Sequence, residues 1–193
     1  MKDLVFYSIL LILLLILVFI LLYLLRKHRR SFTFNKLKYI KHSGNTVECI
    51  TYEGVCPTGS LVIPAYVKEN KKLKVTSIGK SAFLYCGHIT SVQMEEGITA
   101  IGSFAFQNCG KLASVTIPSS VTTIGSYAFA NCTALRTIIS RNPVPPHIGL
   151  HTFSNVDTTR CVLYVPEDAD LMNRSAEKWK NFNNIQHEET DKK

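Results

Sequence analysis

Six cysteines, two histidines four residues apart and two Asn-x-Ser/Thr triplets are the groups in this chain whose types and spacing could do chemistry. Cys86, Cys109 and Cys132 recur at a constant step of 23 (109 − 86 and 132 − 109). A constant step places them on one line of a stacked structure. Strands in neighbouring coils lie about 4.7–4.9 Å apart with parallel Cα–Cβ vectors, whereas a disulfide needs Cβ atoms about 3.8 Å apart and turned toward each other. The three thiols therefore read as a buried packing ladder rather than a disulfide or metal set. Cys49 and Cys56 could bridge a hairpin in an oxidising compartment. His147 and His151 have metal spacing only on a helix, and Pro146 and Gly149 argue against one there. Asn131-Cys-Thr133 and Asn173-Arg-Ser175 match the glycosylation triplet, but Asn131 occupies a repeated slot that Tyr85 and Asn108 also fill, so packing accounts for it. No nucleophile elbow, phosphate-binding loop or zinc-hydrolase motif is present, so no catalytic residue, metal site or cofactor is assigned and the chain reads as a non-enzyme.

The elements that must position these groups repeat with them. Residues 75–83, 98–106 and 121–129 share the pattern Val/Ile-Thr-x-Ile-Gly-x-x-Ala-Phe, each followed by a cysteine and two apolar slots. A 23-residue period is too short for a four-stranded propeller blade and fits a solenoid whose coils share one core. Leu112, Val115 and Ile117 alternate inward along a strand, with Ser114 and Thr116 outward, and Pro118 stops it. Ala105, Phe106 and Cys109 fit one short helical turn, with Phe83, Phe106 and Phe129 forming a second ladder beside the cysteines. Gly79, Gly102 and Gly125 at the bend supply positive φ or a close backbone approach.

The pattern Ile-Gly-x-x-Ala-Phe-x-x-Cys-x-x-Leu followed by Val-x-Ile-Pro resembles the leucine-rich repeats of the BspA-like (Treponema pallidum-type) bacterial surface proteins, over residues 60 to about 186. That resemblance implies a largely non-catalytic binding role, as in adhesins, and an extracytoplasmic repeat domain.

The flanks complete the organisation. Residues 4–25 carry no charge and, as a helix, would span roughly 33 Å, enough for a single transmembrane pass. The run is too long for a cleaved signal and is followed by Arg-Lys-His-Arg-Arg. The expected fold is thus an N-terminal transmembrane helix plus a short β-rich leucine-rich-repeat solenoid with irregular caps. Its parts are a tail (1–3), the transmembrane helix (4–25), a basic juxtamembrane segment (26–41), an N-terminal cap with an atypical first coil (42–74), three regular repeats (75–139), a degenerate fourth (140–166), a C-terminal cap (167–186) and a disordered tail (187–193). Within the first cap, residues 67–74 read as a polar hairpin loop; in the last, Leu171, Trp179, Phe182 and Ile185 form the apolar side of a terminal helix or irregular seal.

Seven basic residues lie within 26–41 without an acid, whereas residues 42–193 balance 14 basic against 13 acidic residues out of 22 and 14 in the chain. A basic run beside an apolar segment indicates membrane topology rather than nucleic acid, and the positive-inside rule puts the repeats in the cytoplasm, against the habit of the family it resembles.

Function then falls to the outward slots. These are the strand positions Ser91, Gln93, Ser114, Thr116, Thr137 and Ile139, with Phe104 and Tyr127 beside the Ala-Phe turn as a second patch. The reading is a membrane-anchored, non-catalytic scaffold that binds a protein or polysaccharide ligand. The alternative is a purely structural role, or that of an accessory subunit in a membrane complex.

Overall fold

The computed structural model describes residues 2–29, 31–42, 44–50, 56–69, 71–169, 176 and 179–188. The chain divides into two units, Met1–Phe32 and Thr33–Lys193.

The first unit holds helix α1 (Lys2–Arg29). It corrects the expected transmembrane fold: among the described residues, no helix is long and apolar enough to cross a membrane. The architecture is a β-rich repeat solenoid with one N-terminal helix, and the membrane span drops out of it. Strand β1 (Ser31–Phe34) lies at the division between the units.

In the second unit the chain alternates between two sheets. Strands β4 (Gly59–Ile63), β7 (Ile89–Met94), β9 (Ser114–Ile117), β11 (Thr137–Ser140), β13 (Val162–Val165) and β14 (Asn184–His187) form one parallel sheet in the order β14-β13-β11-β9-β7-β4. The other contains β2 (Leu37–Lys41), β3 (Thr46–Ile50), β6 (Lys71–Ile78), β8 (Ala100–Ile101), β10 (Thr123–Ile124) and β12 (His147–Ile148) in that order, with β5 (Tyr66–Glu69) antiparallel on β6. Strands β2 and β3 form an antiparallel hairpin. Residues 67–74 are not a loop but most of the β5–β6 hairpin, because Val67, Leu73 and Val75 alternate into the core.

Between the sheets each coil makes a turn, and here the short helix is corrected. Phe104, Asn108 and their equivalents Ser81, Tyr85, Tyr127, Asn131, His151 and Asn155 all have φ near +60°. A residue in that region cannot continue a right-handed helix. The amides instead alternate: Ala105 and Gln107 donate locally to Gly102 and Phe104, while Phe104 and Phe106 donate to Ser126 and Ala128 of the next coil. At the bend the requirement is close approach rather than positive φ. A Cβ on Gly125 would lie 2.4 Å from the Ser103 amide nitrogen.

The Phe ladder fills the interior. Phe83 stacks on Phe106 at 5.0 Å, Phe106 on Phe129 at 5.4 Å and Phe129 on Phe153 at 5.7 Å between ring centroids. The C-terminal seal is a short 3-10 turn (Trp179–Asn181) leading into β14, a strand where a helix or irregular cap was expected. Trp179, Phe182 and Ile185 are buried there, and the Trp179 indole donates to the Pro146 carbonyl at 2.8 Å. Leu171 lies outside the described residues. His187 ends β14 rather than beginning a disordered tail, and Glu188 pairs with Arg141 at 2.7 Å; residues 189–193 lie outside the described residues.

Candidate ligand-binding face

Alternation along a strand sends every second side chain to one face, and the register of the parallel sheet then decides which of them meet. Ser91, Ser114 and Thr137 are partners across β7, β9 and β11, and Gln93, Thr116 and Ile139 are partners one step along. The structure therefore gathers the six predicted strand positions into two adjacent rows. The same register adds Ser60 and Val62 from β4, Val162 and Tyr164 from β13, and Asn184 and Gln186 from β14. Sequence reasoning missed these six because β4, β13 and β14 lie in irregular coils. The alternation in Cys161-Val-Leu-Tyr-Val165 would have exposed two of them.

The completed face crosses six strands, roughly 24 Å at about 4.8 Å per strand. None of its twelve side chains is buried and none is charged. It offers hydroxyls and amides interspersed with Val62, Val162, Ile139 and Tyr164. Charges at the strand ends are tied to their neighbours. Glu96 accepts from the Ser119 amide at 2.9 Å, the Ser119 hydroxyl at 3.0 Å and the Ser120 amide at 3.2 Å. Burial alone would raise the Glu96 carboxyl, but these bonds outweigh it and hold it below the usual carboxylate range.

The second predicted patch lies on the turns. Phe104 stacks on Tyr127 at 5.2 Å, and Tyr127 stacks on His151 at 5.0 Å, a member that sequence reasoning considered only as a metal ligand. Face-to-face stacking uses the ring faces on each other and presents edges to solvent. The Lys80 ammonium sits 5.9 Å from the Phe104 centroid at one end. His147 is a strand residue of β12 and His151 a turn residue, so the two do not share a helix face. Asn131 belongs to an amide ladder: its Nδ2 donates to Asn108 Oδ1 at 2.7 Å, and Asn155 Nδ2 donates to Asn131 Oδ1 at 2.7 Å. Asn173 lies outside the described residues.

The cysteine ladder needs one correction. Cys109 and Cys132 donate to the Phe83 and Phe106 carbonyls, each at 3.2 Å, and burial pushes the Cys109 thiol up to about 12. Cys86, however, is bonded to Cys56, with Cα atoms 5.1 Å apart. Cys109 and Cys132 remain free, but at the ladder's first member the segment entering β4 brings in a cysteine from outside the repeat. Cys49 does not pair with Cys56: it is buried and free, and burial pushes its thiol up to about 12.

Two sheets whose coil strands pair in parallel, joined by positive-φ turns, with one buried Phe and one Cys slot per 23-residue coil, define a leucine-rich-repeat solenoid. The family model of the BspA type leucine rich repeat region matches residues 65–176 with six copies, and the chain belongs to that family. The six copies take in the irregular coils on both sides of the three regular ones. A leucine-rich repeat protein of Bacteroides ovatus is 27% identical, with a TM-score of 0.58 over 80% of this chain and 40% of its own. A leucine rich cell surface protein of Faecalibacterium prausnitzii is 25% identical, with a TM-score of 0.54 over 72% of this chain and 45% of its own. The T. pallidum leucine rich repeat protein shares the fold, with a TM-score of 0.56 at 18% identity and 82% coverage of both chains. The chain thus spans less than half the length of the first two. No curated protein matches.

Proposed function

We propose that this chain is a non-catalytic binding scaffold whose outward strand face takes a protein or polysaccharide ligand. The observation that carries this reading is the register: two uncharged rows of side chains aligned across six parallel strands, continuous for roughly 24 Å. The backbone that carries these side chains is fixed by the strand ladder, so little backbone conformational entropy is lost when a ligand covers the face. The repeat domain works in an oxidising, extracytoplasmic compartment. The Cys56–Cys86 disulfide supports this, because such bonds persist there and are rare in reducing cytosol, and the description of the F. prausnitzii relative as a cell surface protein points the same way. Probing immobilised polysaccharides and extracellular proteins with the full chain, beside a Ser114→Lys/Thr116→Lys/Thr137→Lys variant, tests the reading. Binding that this variant loses supports the face; binding indifferent to it removes the face from consideration.

A further inference from the structure

The turns of successive coils are bonded through a ladder of their own, and among the described residues that ladder ends open. In its last closed rung, Tyr127, Phe129 and Asn131 donate their amides to the carbonyls of Leu150, Thr152 and Ser154, at 3.0, 2.9 and 2.8 Å. Donors and acceptors both recur at every second residue. In the fourth coil the equivalent donors are the amides of His151, Phe153 and Asn155, and no acceptor bonds them among the described residues. His151 and Asn155 keep φ values of 56° and 61°, against 58° and 60° for Tyr127 and Asn131, so these amides point out of the end of the stack as their predecessors point into it. The strand sheet continues past this level through β13 and β14, whereas among the described residues the turn ladder does not. The turn end instead opens on a cleft of about 400 Å³ lined by Ile148, Phe153, Val156, Thr158 and Asn181.

We propose that this terminal rung docks an extended peptide segment of a partner protein, whose backbone carbonyls at every second residue accept from the amides of His151, Phe153 and Asn155. The site rests on the scaffold reading and adds the partner's chemistry to it. Three donors set two residues apart on parallel bearings match a chain of carbonyls, whereas an isolated anion needs donors that converge on it. Beside them, the apolar wall of Ile148, Phe153 and Val156 takes a side chain of the segment, and Asn155 Oδ1, the free end of the amide ladder, accepts from a side-chain amide. A second copy of this chain does not supply the segment from its own first coil. The central acceptor of its equivalent rung, the Ala82 carbonyl, belongs to a residue only 3% exposed and is not open to docking.

The probe is a synthetic peptide with the sequence of residues 125–132, serine replacing its cysteine, because that segment fills the equivalent rung inside the stack. Amide exchange is followed on the full chain. Free protein should exchange His151, Phe153 and Asn155 far faster than Tyr127, Phe129 and Asn131. Saturating peptide should slow the first three on the order of tenfold and leave the others unchanged. Asn181→Trp, which fills the cleft from an exposed position, should abolish the slowing while the circular dichroism of the fold is retained. Equal exchange of the two sets in free protein, no slowing with peptide, slowing by inorganic phosphate instead, or slowing that survives in a folded Asn181→Trp protein would each overturn the proposal. The strand-face lysine variant should still slow with peptide, so failure here and failure of the strand face are separate results.

Discussion

Replacing Phe106 with alanine should cost the repeat unit about 4 kcal/mol. The ring is fully buried and stacked on both faces, at 5.0 Å from Phe83 and 5.4 Å from Phe129. Truncating a buried phenylalanine costs roughly 3–5 kcal/mol through lost transfer energy and the cavity left behind. The upper half of that range applies because both neighbours lose a stacking partner, each contact being worth about 0.5–1.5 kcal/mol beyond its area. The rungs on either side, bonded at 2.7 Å from Phe83 to Ala105 and from Phe106 to Ala128, hold the walls apart and limit collapse into the space. Coils in a solenoid are stabilised by their neighbours, so a defect in the middle one weakens two interfaces. With a urea slope of about 2 kcal/mol per molar, the midpoint should fall by roughly 2 M. Urea unfolding followed by circular dichroism measures it, with Tyr85→Ala, at 72% exposure, as a control expected within about 0.5 kcal/mol of the parent. A Phe106→Ala midpoint within 0.5 M of the parent, on the order of 1 kcal/mol, would show that the Phe column is not the core it is argued to be.

Other outcomes follow from single contacts. Ser140 is 1% exposed, its hydroxyl has no hydrogen-bond partner among the described residues, and its register partner is Ile117; Ser140→Val should raise stability by about 1 kcal/mol, read as a higher urea midpoint. Alkylation after unfolding without reductant should label Cys49, Cys109, Cys132 and Cys161 and spare Cys56 and Cys86, as mass spectrometry would show. Reducing that bond, which closes a separation of 30 residues, should cost roughly 3–4 kcal/mol. The Glu96 carboxyl is held below its unfolded value of 4.5, so its contribution is complete above about pH 4.5 and is lost as pH falls through the folded value. Glu96→Gln should flatten the stability profile in that acid window, and an unchanged slope would count against the serine bonds.

The repeat was legible because each of its slots is set by local chemistry. Period, strand alternation and the Pro118 stop place Ser114 and Thr116 outward without any knowledge of the partners, and Gly102, Gly125 and Gly149 answer a backbone clash with the preceding coil. What could not be read depends on contacts between coils. The left-handed turns are stabilised by bonds to the next coil, so Phe104 to Cys109 taken alone resembled a helical turn. Cys56 belongs to no repeat, and only the path of the chain into β4 brings it to Cys86. Asn184 and Gln186 join the candidate face because β14 pairs with β13, which no periodicity in that cap announces. At the other end, the apolar composition of residues 4–25 argued for a membrane span, yet among the described residues no helix is long and apolar enough to cross a membrane.

The strand face is the feature on which a binding role depends most directly. The decisive measurement is the dissociation constant of the full chain for a protein or polysaccharide that binds it, set against that of the Ser114→Lys/Thr116→Lys/Thr137→Lys variant with its fold verified. Three cationic side chains placed across the centre of an uncharged surface should weaken binding by at least about a hundredfold, since each unpaired charge buried under a ligand costs on the order of 1–3 kcal/mol. An unchanged constant would contradict the central claim and move the binding site off the sheet.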